Sequence, residues 1–446
     1  LAAVVMIFTG QVWNMTFSFY TSLKSIPSDL RETGRVYGLH WWTRCTRLEM
    51  PYSAIGLVWN SMMSMAGGWF FLMINEAFVL GDRDFRLPGI GSYMSVAIQQ
   101  GNLSAMIWAI VAMTLMIVVV DQLFWRPIVA WSQKYKFEET EASESTRSFV
   151  LELLQRSKVL RIARTRLWTP FFSWLTSRIT AEVPLAGARR GKLILVRARA
   201  VLAWAAGSGM LLIAGWGTWK LTLLLAGVSL AAWGEIVLSL LATFGRVLAA
   251  ITLGTLLMIP LGVSIGMNPK RSRVLQPVVQ VVASFPAPML FPLVILGLTA
   301  FGIGIDTGAI ALMMLGTQWY ILFNVIAGAM AIPHDLREAA QVMQLSRWMR
   351  WRKLILPGIF PSLVTGWVTS AGGAWNASIV AEYVHFGNRQ LIARGLGSTI
   401  TTATDRGDFG VLTASVMMMT LTVVCVNRFF WRKLYAVAEE RFSLNT

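Results

Sequence analysis

Uncharged stretches long enough to cross a membrane dominate this chain, and they limit the folds that it can adopt. A membrane-spanning helix needs about 18 apolar residues or more. Nine stretches without a charged residue reach that length: 1–23, 51–75, 103–120, 200–219, 247–266, 274–305, 307–333, 354–381 and 409–427. A water-soluble core does not need so many such stretches. The sequence therefore predicts an all-α polytopic membrane protein with about nine transmembrane helices.

Two polar loops interrupt these stretches, and they are copies of one another. The first polar loop covers residues 26–51 and the second polar loop covers residues 332–357. At the offset that separates Glu32 from Glu338, 306 positions, the identical pairs include Trp13 and Trp319, Pro27 and Pro333, Asp29 and Asp335, Arg31 and Arg337, Pro51 and Pro357, Trp69 and Trp375, and Glu76 and Glu382. Chance does not produce so many identities in one register, so we infer an internal duplication.

The duplication divides the chain into three parts. Residues 1–126 correspond to the C-terminal half of a first copy, residues 127–199 form a connector, and residues 200–446 form a complete second copy. The first copy has no counterpart of residues 200–306, so we expect it to be incomplete in this chain. The connector contains a basic amphipathic segment, and a helix of that kind is expected to lie on anionic membrane lipid.

The second polar loop has the pattern of a short amphipathic helix. Leu336, Ala340 and Met343 recur at i, i+4 and i+7, which places them on one helical face. Asp335 and Glu338 come early in this helix, where the helix dipole favours negative charge. A short helix held between two membrane spans is suited to docking into a groove on another protein.

The residue order in the second loop resembles the cytoplasmic loop signature of permease subunits of ATP-binding-cassette (ABC) importers. That signature reads Glu-Ala-Ala, three residues, Gly, nine residues and Ile-x-Leu-Pro. Glu338-Ala339-Ala340 and residues 354–357 fit at the right spacing, while Gln344 stands where the family has Gly. The first loop departs differently, because it has Glu32-Thr33-Gly34 but keeps Gly38.

A second set of residues narrows the resemblance to one branch of that family. The residues are Trp375, Ala381-Glu382 and Gly395-Leu396-Gly397. In this order they are similar to the nitrate/sulfonate/taurine/bicarbonate branch of ABC permeases. The sequence does not name the solute.

The resemblance implies tandem type I permease helix bundles of the MetI-like fold that form the translocation path for a small anionic solute. It also implies two cytoplasmic ABC ATPase subunits, which carry the ATP and Mg²⁺, and a periplasmic or lipid-anchored substrate-binding protein. We expect no catalytic residue, cofactor or metal site on this chain. The resemblance assigns ATPase coupling to Asp29, Arg31, Glu32, Thr33, Gly34, Gly38, Asp335, Arg337, Glu338, Ala339, Ala340 and Gln344.

Seven residues are candidates for the translocation path. They are Trp69, Glu76, Pro286, Pro288, Pro292, Trp375 and Glu382. Proline breaks a helix, and in a bilayer the freed carbonyls must be buried or face a water-filled path. The two glutamates lie at the ends of uncharged spans, and an ionisable group in such a position suggests a functional role. The simpler alternative is a carboxylate that pairs with an arginine. The simpler alternative for the tryptophans is contact with lipid.

One apolar segment is not predicted to be a span. Residues 221–246 are interrupted by Glu235 and Gly245. Counting them as a span would place the basic residues of segment 270–273 on the opposite side of the membrane from the other basic loops. We therefore interpret residues 221–246 as an external interfacial segment and residues 247–266 as the span that follows.

The net charge of +17 does not indicate a nucleic-acid partner, because of where the charges lie. Lysine and arginine concentrate in 24–47, 126–199, 270–273, 337–353 and 428–441. The loops on the other side of the membrane have nearly equal numbers of positive and negative residues. This is the positive-inside pattern, so the sequence predicts a multi-pass protein of the bacterial inner (plasma) membrane with both polar loops in the cytoplasm.

Two other functions remain as alternatives. A secondary transporter can also be built from parallel repeats, and a membrane scaffold can be polytopic without transporting anything. The two polar loops distinguish an ABC importer from a secondary transporter, because a secondary transporter has no ATPase to dock. The proline-broken span distinguishes an importer from a scaffold, because a scaffold does not need one.

Overall fold

The structure is a computed structural model that describes residues 2–24, 26–80, 83–135, 149–157, 169–180, 188–386 and 389–442. Much of the predicted connector, residues 127–199, lies outside the described residues. The division of the chain at 126 and 199 stays a prediction.

The first part of the chain is helical apart from one β-hairpin. Its elements are α1 (Ala2–Lys24), α2 (Ser28–Val36), α3 (Trp41–Arg44), α4 (Met50–Phe70), α5 (Leu72–Glu76), β1 (Ala77–Leu80), β2 (Arg83–Arg86), α6 (Ile90–Gln99), α7 (Leu103–Val120) and α8 (Arg126–Ser132). Strands β1 and β2 are antiparallel, with Ala77 opposite Arg86.

Six further helices come next in the described residues. They are α9 (Phe149–Arg156), α10 (Thr169–Thr180), α11 (Ala188–Ala226), α12 (Leu230–Gly266), α13 (Pro269–Ala283) and α14 (Ala287–Ala300). The remaining elements are α15 (Ile305–Ala331), α16 (His334–Val342), α17 (Arg347–Arg350), α18 (Leu356–Ala381), β3 (Tyr383–Phe386), β4 (Arg389–Ile392), α19 (Leu396–Arg406), α20 (Phe409–Val426) and α21 (Arg432–Phe442). Strands β3 and β4 form a second antiparallel hairpin, with Tyr383 opposite Ile392.

The bounds of these elements repeat at the offset found in the sequence. The matching pairs are α2 and α16, α3 and α17, β1 and β3, β2 and β4, and α7 and α20. Four π-helical turns repeat in the same way: Cys45–Glu49 and Trp351–Ile355 before α4 and α18, and Asp121–Trp125 and Asn427–Trp431 after α7 and α20. The two copies therefore share their local backbone, and the predicted duplication is confirmed.

The chain divides into two compact units. One unit contains Leu1–Gly68 and Leu115–Lys220, and the other contains Trp69–Thr114 and Leu221–Thr446. The first polar loop lies in the first unit and the second polar loop lies in the second unit.

Six helical stretches in the described part of the chain are long and apolar enough to cross a membrane. They are Leu103–Ser132, Ala203–Ala226, Leu230–Gly266, Ile305–Ala331, Arg347–Ala381 and Phe409–Phe442. A seventh span results if α13 and α14 are counted together, and these two helices are bent by 88° relative to each other. The all-α polytopic fold is confirmed, and six or seven of the predicted spans, about nine in all, meet this criterion within the described residues.

Helices α1 and α4, which were predicted as spans, are not in that set, and their crossing of the membrane stays a prediction. Polar side chains connect these two helices. Asn60 Nδ2 donates a hydrogen bond to Ser18 Oγ (3.0 Å), and Ser64 Oγ donates to the backbone oxygen of Gln11 (3.4 Å).

The predicted break of segment 221–246 at Glu235 and Gly245 is wrong, whereas its external interfacial position stays a prediction. Helix α12 runs without a break from Leu230 to Gly266 and contains Glu235, Gly245 and Arg246. A glycine within a helix costs only about 1 kcal/mol relative to alanine, so Gly245 does not end it. At roughly 1.5 Å per residue, α12 is about 55 Å long, which exceeds the bilayer core of about 30 Å.

Helices α12, α15 and α18 form the core of the second unit through close contacts at glycines. A Cβ atom on Gly266 would lie 2.6 Å from the backbone oxygen of Ile326, and one on Gly262 would lie 2.7 Å from Val325 Cγ1. A Cβ on Gly328 would lie 2.9 Å from Ser362 Cβ of α18. Small residues let helix backbones approach closely, which is the main source of helix association in a membrane.

We expect Gly266→Ala to destabilise the protein, because the new methyl group would overlap the backbone of α15. Overpacking of this kind costs roughly 1–3 kcal/mol. Gly245→Ala in the same helix is the matched control, since nothing lies within 4 Å of its Cβ position and alanine favours helix. The measurement is the melting temperature of both variants in detergent. Equal melting temperatures would contradict the close packing of α12 against α15.

Candidate functional site: the polar loops and a buried ionic cluster

Each polar loop contains a nine-residue helix, α2 or α16, that starts directly after a proline. Each helix ends with the same backbone hydrogen bond. The amide of Leu39 donates to the oxygen of Gly34, and the amide of Leu345 donates to the oxygen of Ala340, both at 3.1 Å. This ending requires a left-handed residue, which is Gly38 (φ 60°) in the first loop and Gln344 (φ 51°) in the second.

Arg31 and Arg337 fasten the loop helices to the membrane helices that precede them. Arg337 Nη2 donates to the backbone oxygens of Ala329 (2.8 Å) and Met330 (3.3 Å) in the last turn of α15. Arg31 makes the equivalent contacts with Leu23 and Lys24 of α1. These carbonyls have no partner within their own helix, and a cation there also complements the helix dipole. The two arginines therefore set the angle at which each loop helix leaves its span.

The other polar residues predicted for coupling face outward. Asp29, Glu32, Thr33, Asp335, Glu338, Ala339 and Gln344 are all exposed, whereas Gly34 and Ala340 are buried. Glu338 Oε1 lies 3.3 Å from His334 Nδ1, one helical turn earlier. Both loops also expose an apolar residue at the end of the helix, Val36 and Val342, at 84% and 82%.

Leu336 and Ala340 lie four residues apart in α16, so they share a helical face as predicted. The amide of Met343 still donates to the oxygen of Ala339 (2.9 Å), and the backbone turns left-handed only at Gln344. The burial along this face is unequal: Ala340 is buried, Leu336 is 42% exposed and Met343 is 73% exposed.

A buried ionic cluster lies at the end of α18 that is remote from the second polar loop. Its centre is Glu382, whose side chain is completely buried. The carboxylate accepts hydrogen bonds from Thr243 Oγ1 (2.8 and 3.0 Å), from Arg246 Nη1 (2.9 Å) and from the amide of Gly397 (2.9 Å). Burial raises the pKa of the Glu382 carboxyl, while these three donors act in the opposite direction.

Arg246 is the counterion of Glu382 and connects several segments. Its Nη1 also donates to the backbone oxygen of Arg394 (2.8 Å). Its Nε and Nη2 donate to Asp306, to the backbone oxygen at 2.8 Å and to Oδ1 at 2.7 Å. The planar fork of the guanidinium lets one side chain bind α15, α18 and the segment before α19 together.

The outer part of the cluster is accessible to solvent. The side chain of Asp306 is 68% exposed, and Arg394 pairs with Glu235 at 3.0 Å on an exposed rim. The amide of Arg394 donates to Asp306 Oδ1 (3.1 Å), and the amide of Leu396 donates to Thr243 Oγ1 (2.7 Å). The cluster is therefore buried on one side and open on the other.

The first copy contains the equivalent carboxylate with fewer partners. Glu76 accepts hydrogen bonds from the amides of Gly91 (2.7 Å) and Ser92 (3.3 Å), as Glu382 does from Gly397. Among the described residues, Glu76 forms no ion pair. A glycine precedes the helix in both copies, since a Cβ at Gly89 or Gly395 would lie within 2.2 Å of the carboxylate oxygen.

A second polar contact supports the hairpin next to the cluster. The hydroxyl of Tyr383 donates a hydrogen bond to Asp405 Oδ2 (2.7 Å). Burial, and then this bond and the negative charge of Asp405, raise the pKa of Tyr383, so its phenol stays protonated. The contact holds β3 against α19.

The other residues predicted for the path occupy different environments. Trp375 is 4% exposed and stacks on Phe244 with 6.1 Å between ring centres, and Trp69 is partly buried. Pro286 lies at the 88° bend between α13 and α14, whereas Pro288 and Pro292 are buried within α14. Their role in a translocation path stays a prediction.

The sequence analysis missed four members of the cluster. They are Thr243, Arg246, Asp306 and Arg394. Arg246 could have indicated the cluster, because it is a lone cation inside the otherwise apolar stretch that follows Glu235. A charged residue in such a stretch suggests a functional site. The sequence analysis instead took Arg246 as the end of segment 221–246.

The fold and these sites define a polytopic helical membrane protein with a duplicated helical loop. A family described as binding-protein-dependent transport system inner membrane component matches residues 1–124 and 258–431, and each matched segment contains one polar loop. Together these segments make up more than half of the chain. The chain belongs to this family of inner membrane transport components, as its sequence resemblance predicted.

Named relatives lie in the predicted branch of the family. The taurine transport system permease protein TauC of Escherichia coli (strain K12) is 27% identical over 190 residues, which is 43% of this chain and 64% of that protein. The nitrate import permease protein NrtB of Leptolyngbya laminosa is 27% identical over 186 residues, 42% of this chain and 63% of that protein. The bicarbonate transport system permease protein CmpB of Synechococcus elongatus is 29% identical over 147 residues, 33% and 51%. The chain thus spans between half and two thirds of the length of these curated relatives.

We expect Gln344→Gly to stabilise the end of α16. A residue other than glycine costs roughly 1–2 kcal/mol in the left-handed region, and glycine gives back only about 0.4–1 kcal/mol through the unfolded state. Amide hydrogen exchange across α16 should slow about two- to fivefold, and Gly38→Gln should accelerate exchange across α2.

Gln341→Gly is the matched control for this prediction. It makes the same substitution three residues earlier, inside the helix, where glycine destabilises by about 1 kcal/mol relative to alanine. Exchange across α16 should therefore become faster. The same direction of change in the Gln344 and Gln341 variants would show that the left-handed turn is not strained.

Proposed function

We propose that this chain is the membrane-spanning permease of an ABC importer and forms the translocation path for a small anionic solute. The observation that carries the proposal is the pair of equivalent loop helices, each anchored by an arginine and each with an outward-facing glutamate. Each loop helix is fixed to a membrane span at one end and is exposed on its other face. Such a helix can transmit movement between a soluble motor and the membrane.

The motor in this proposal is a pair of cytoplasmic ABC ATPase subunits, one on each polar loop. ATP and Mg²⁺ bind to those subunits, and this chain contributes no catalytic residue. The exposed residues Glu32 and Val36 in the first loop, and Glu338 and Val342 in the second, combine charge with apolar area at equivalent positions. Such a combination suits a groove with an apolar floor and a polar rim.

The solute class follows from the relatives. TauC, NrtB and CmpB are named for taurine, nitrate and bicarbonate, which share a sulfonate or other oxyanion group. We propose a small solute with such a group, delivered by a periplasmic or lipid-anchored substrate-binding protein that determines selectivity.

The proposed location is the inner (plasma) membrane of a bacterium, with both polar loops in the cytoplasm. The asymmetry of positive charge supports this orientation. Two features speak against the alternatives. A secondary transporter has no use for two docking helices, and a scaffold has no use for a pair of helices bent by 88° at a buried proline.

We expect two ATPase subunits to bind each chain. The two loop helices have the same bounds, the same arginine anchor and an exposed glutamate at the same position. The test is the stoichiometry of the complex purified from cells that express the chain with its cognate ATPase, measured by native mass spectrometry. A ratio of one ATPase per chain would refute the prediction for the first polar loop.

We expect Glu338→Arg to abolish solute-stimulated ATP hydrolysis and uptake without unfolding the protein. The side chain is 63% exposed and contributes no core packing, but a reversed charge at a docking surface costs several kcal/mol against the original partner. The measurements are uptake in cells, ATPase activity in liposomes and the melting temperature. Glu32→Arg should impair the first loop in the same way.

Glu440→Arg is the control for this experiment. It reverses the charge of another exposed glutamate, in α21, to which no docking role is assigned. Uptake by this variant should stay at the level of the unmodified protein. Full uptake by the Glu338 variant would refute the coupling role, and a fall in its melting temperature would show that the residue is structural.

A further inference from the structure

The second polar loop and the ionic cluster lie at opposite ends of the same two helices. Helix α15 ends immediately before α16, and α18 begins after the π-helical turn that follows α17. At about 1.5 Å per residue, both helices are about 40 Å long. Their remote ends carry Asp306 and Glu382, the two carboxylates that bind Arg246.

Helices α15 and α18 are packed so closely that they form one stiff element. A Cβ on Gly366 would lie 3.2 Å from the Cα of Ile321, and one on Gly328 would lie 3.2 Å from the Cα of Ile359. The contact therefore brings backbone against backbone at two levels. Close-packed interiors have low compressibility and transmit displacement, so a movement of α16 reaches the remote ends of both helices.

At the remote end, Arg246 connects this stiff element to the segment that leads into α19. Its Nη1 binds both Glu382 and the backbone oxygen of Arg394, and its neighbour on the same face of α12, Thr243, binds Glu382 and the amide of Leu396. The connection consists of directional hydrogen bonds to charged groups. Packing alone would not hold these segments at one fixed distance.

The composition of the cluster suits an element that changes state. A buried ion pair is weak evidence for stability, because apolar side chains of similar volume often replace it without loss. Arg246 also binds a second carboxylate, on Asp306, which is open to solvent, so these contacts can separate and form again. Among the described residues, the equivalent carboxylate Glu76 accepts hydrogen bonds from the amides of Gly91 and Ser92.

We propose that Arg246 is a positioning residue for transport. It holds the remote ends of α15 and α18 to the segment before α19, so that movement of the second polar loop is converted into a rearrangement at the remote end of the translocation path. This inference rests on the proposed function, because it requires that a partner drives the loop.

The test compares uptake per ATP hydrolysed in proteoliposomes that contain the complete transporter. The double variant Arg246→Met with Glu382→Leu replaces the ion pair by apolar side chains and avoids an unpaired buried charge. We expect its melting temperature to match the unmodified protein and its uptake per ATP to fall at least tenfold. Uptake per ATP within twofold of the unmodified transporter would overturn the proposal.

Arg246→Lys decides the question if the double variant does not fold. A lysine keeps the charge but is a point donor, so it cannot bind Glu382, Asp306 and the oxygen of Arg394 at once. We expect a folded protein whose uptake per ATP is at least threefold lower, and an unchanged ratio would overturn the proposal.

Arg271→Gln is the matched control. It removes an exposed arginine whose Nη1 binds Ser264 Oγ (2.6 Å), outside the cluster, and should leave the ratio unchanged. Uptake by the unmodified transporter distinguishes a failure of this inference from a failure of the proposed function. Absence of ATP-dependent uptake in the unmodified transporter would refute the proposed function, whereas coupled uptake that survives the Arg246 substitutions would refute only the positioning role.

Discussion

The geometry at the remote ends of α15 and α18 depends on the pairing of two buried charges, Glu382 and Arg246. An isolated carboxylate at 0% exposure is too costly to retain, so the fold must supply a cation and further donors at that point. Arg246 can do so only if α12 continues through it, and Gly397 can do so only if α19 starts against the end of α18. The one interaction therefore explains why α12 is unbroken and why a glycine stands at the start of α19.

Much of the second polar loop could be predicted from sequence, because its geometry is local. The proline before α16, the early carboxylates and the spacing to the next proline are all short-range signals, and the helix begins and ends where they indicate. The duplication doubled that information, since each signal occurred twice in one register. The outward position of Glu338 and the buried position of Ala340 follow from the same helix.

The ionic cluster could not be predicted, because its members are far apart in sequence and meet only after the helices pack. Thr243 and Glu382 are 139 positions apart, and nothing in the local pattern of either residue refers to the other. Charge was also used as a marker of segment ends, which holds for most membrane helices but fails where a cation is paired inside the protein.

The π-helical turns before α4 and α18 determine the direction in which each polar loop faces. Such a turn contains one residue more than the α-helix would use, and one residue corresponds to about 100° of rotation about the helix axis. Deleting a single residue from Trp351–Ile355 would therefore turn the loop about the axis of α18 by more than a quarter of a circle. Glu338 would then point in another direction, although no residue of α16 had changed. The length of this short turn is thus as much a part of the docking geometry as the residues that the loop exposes.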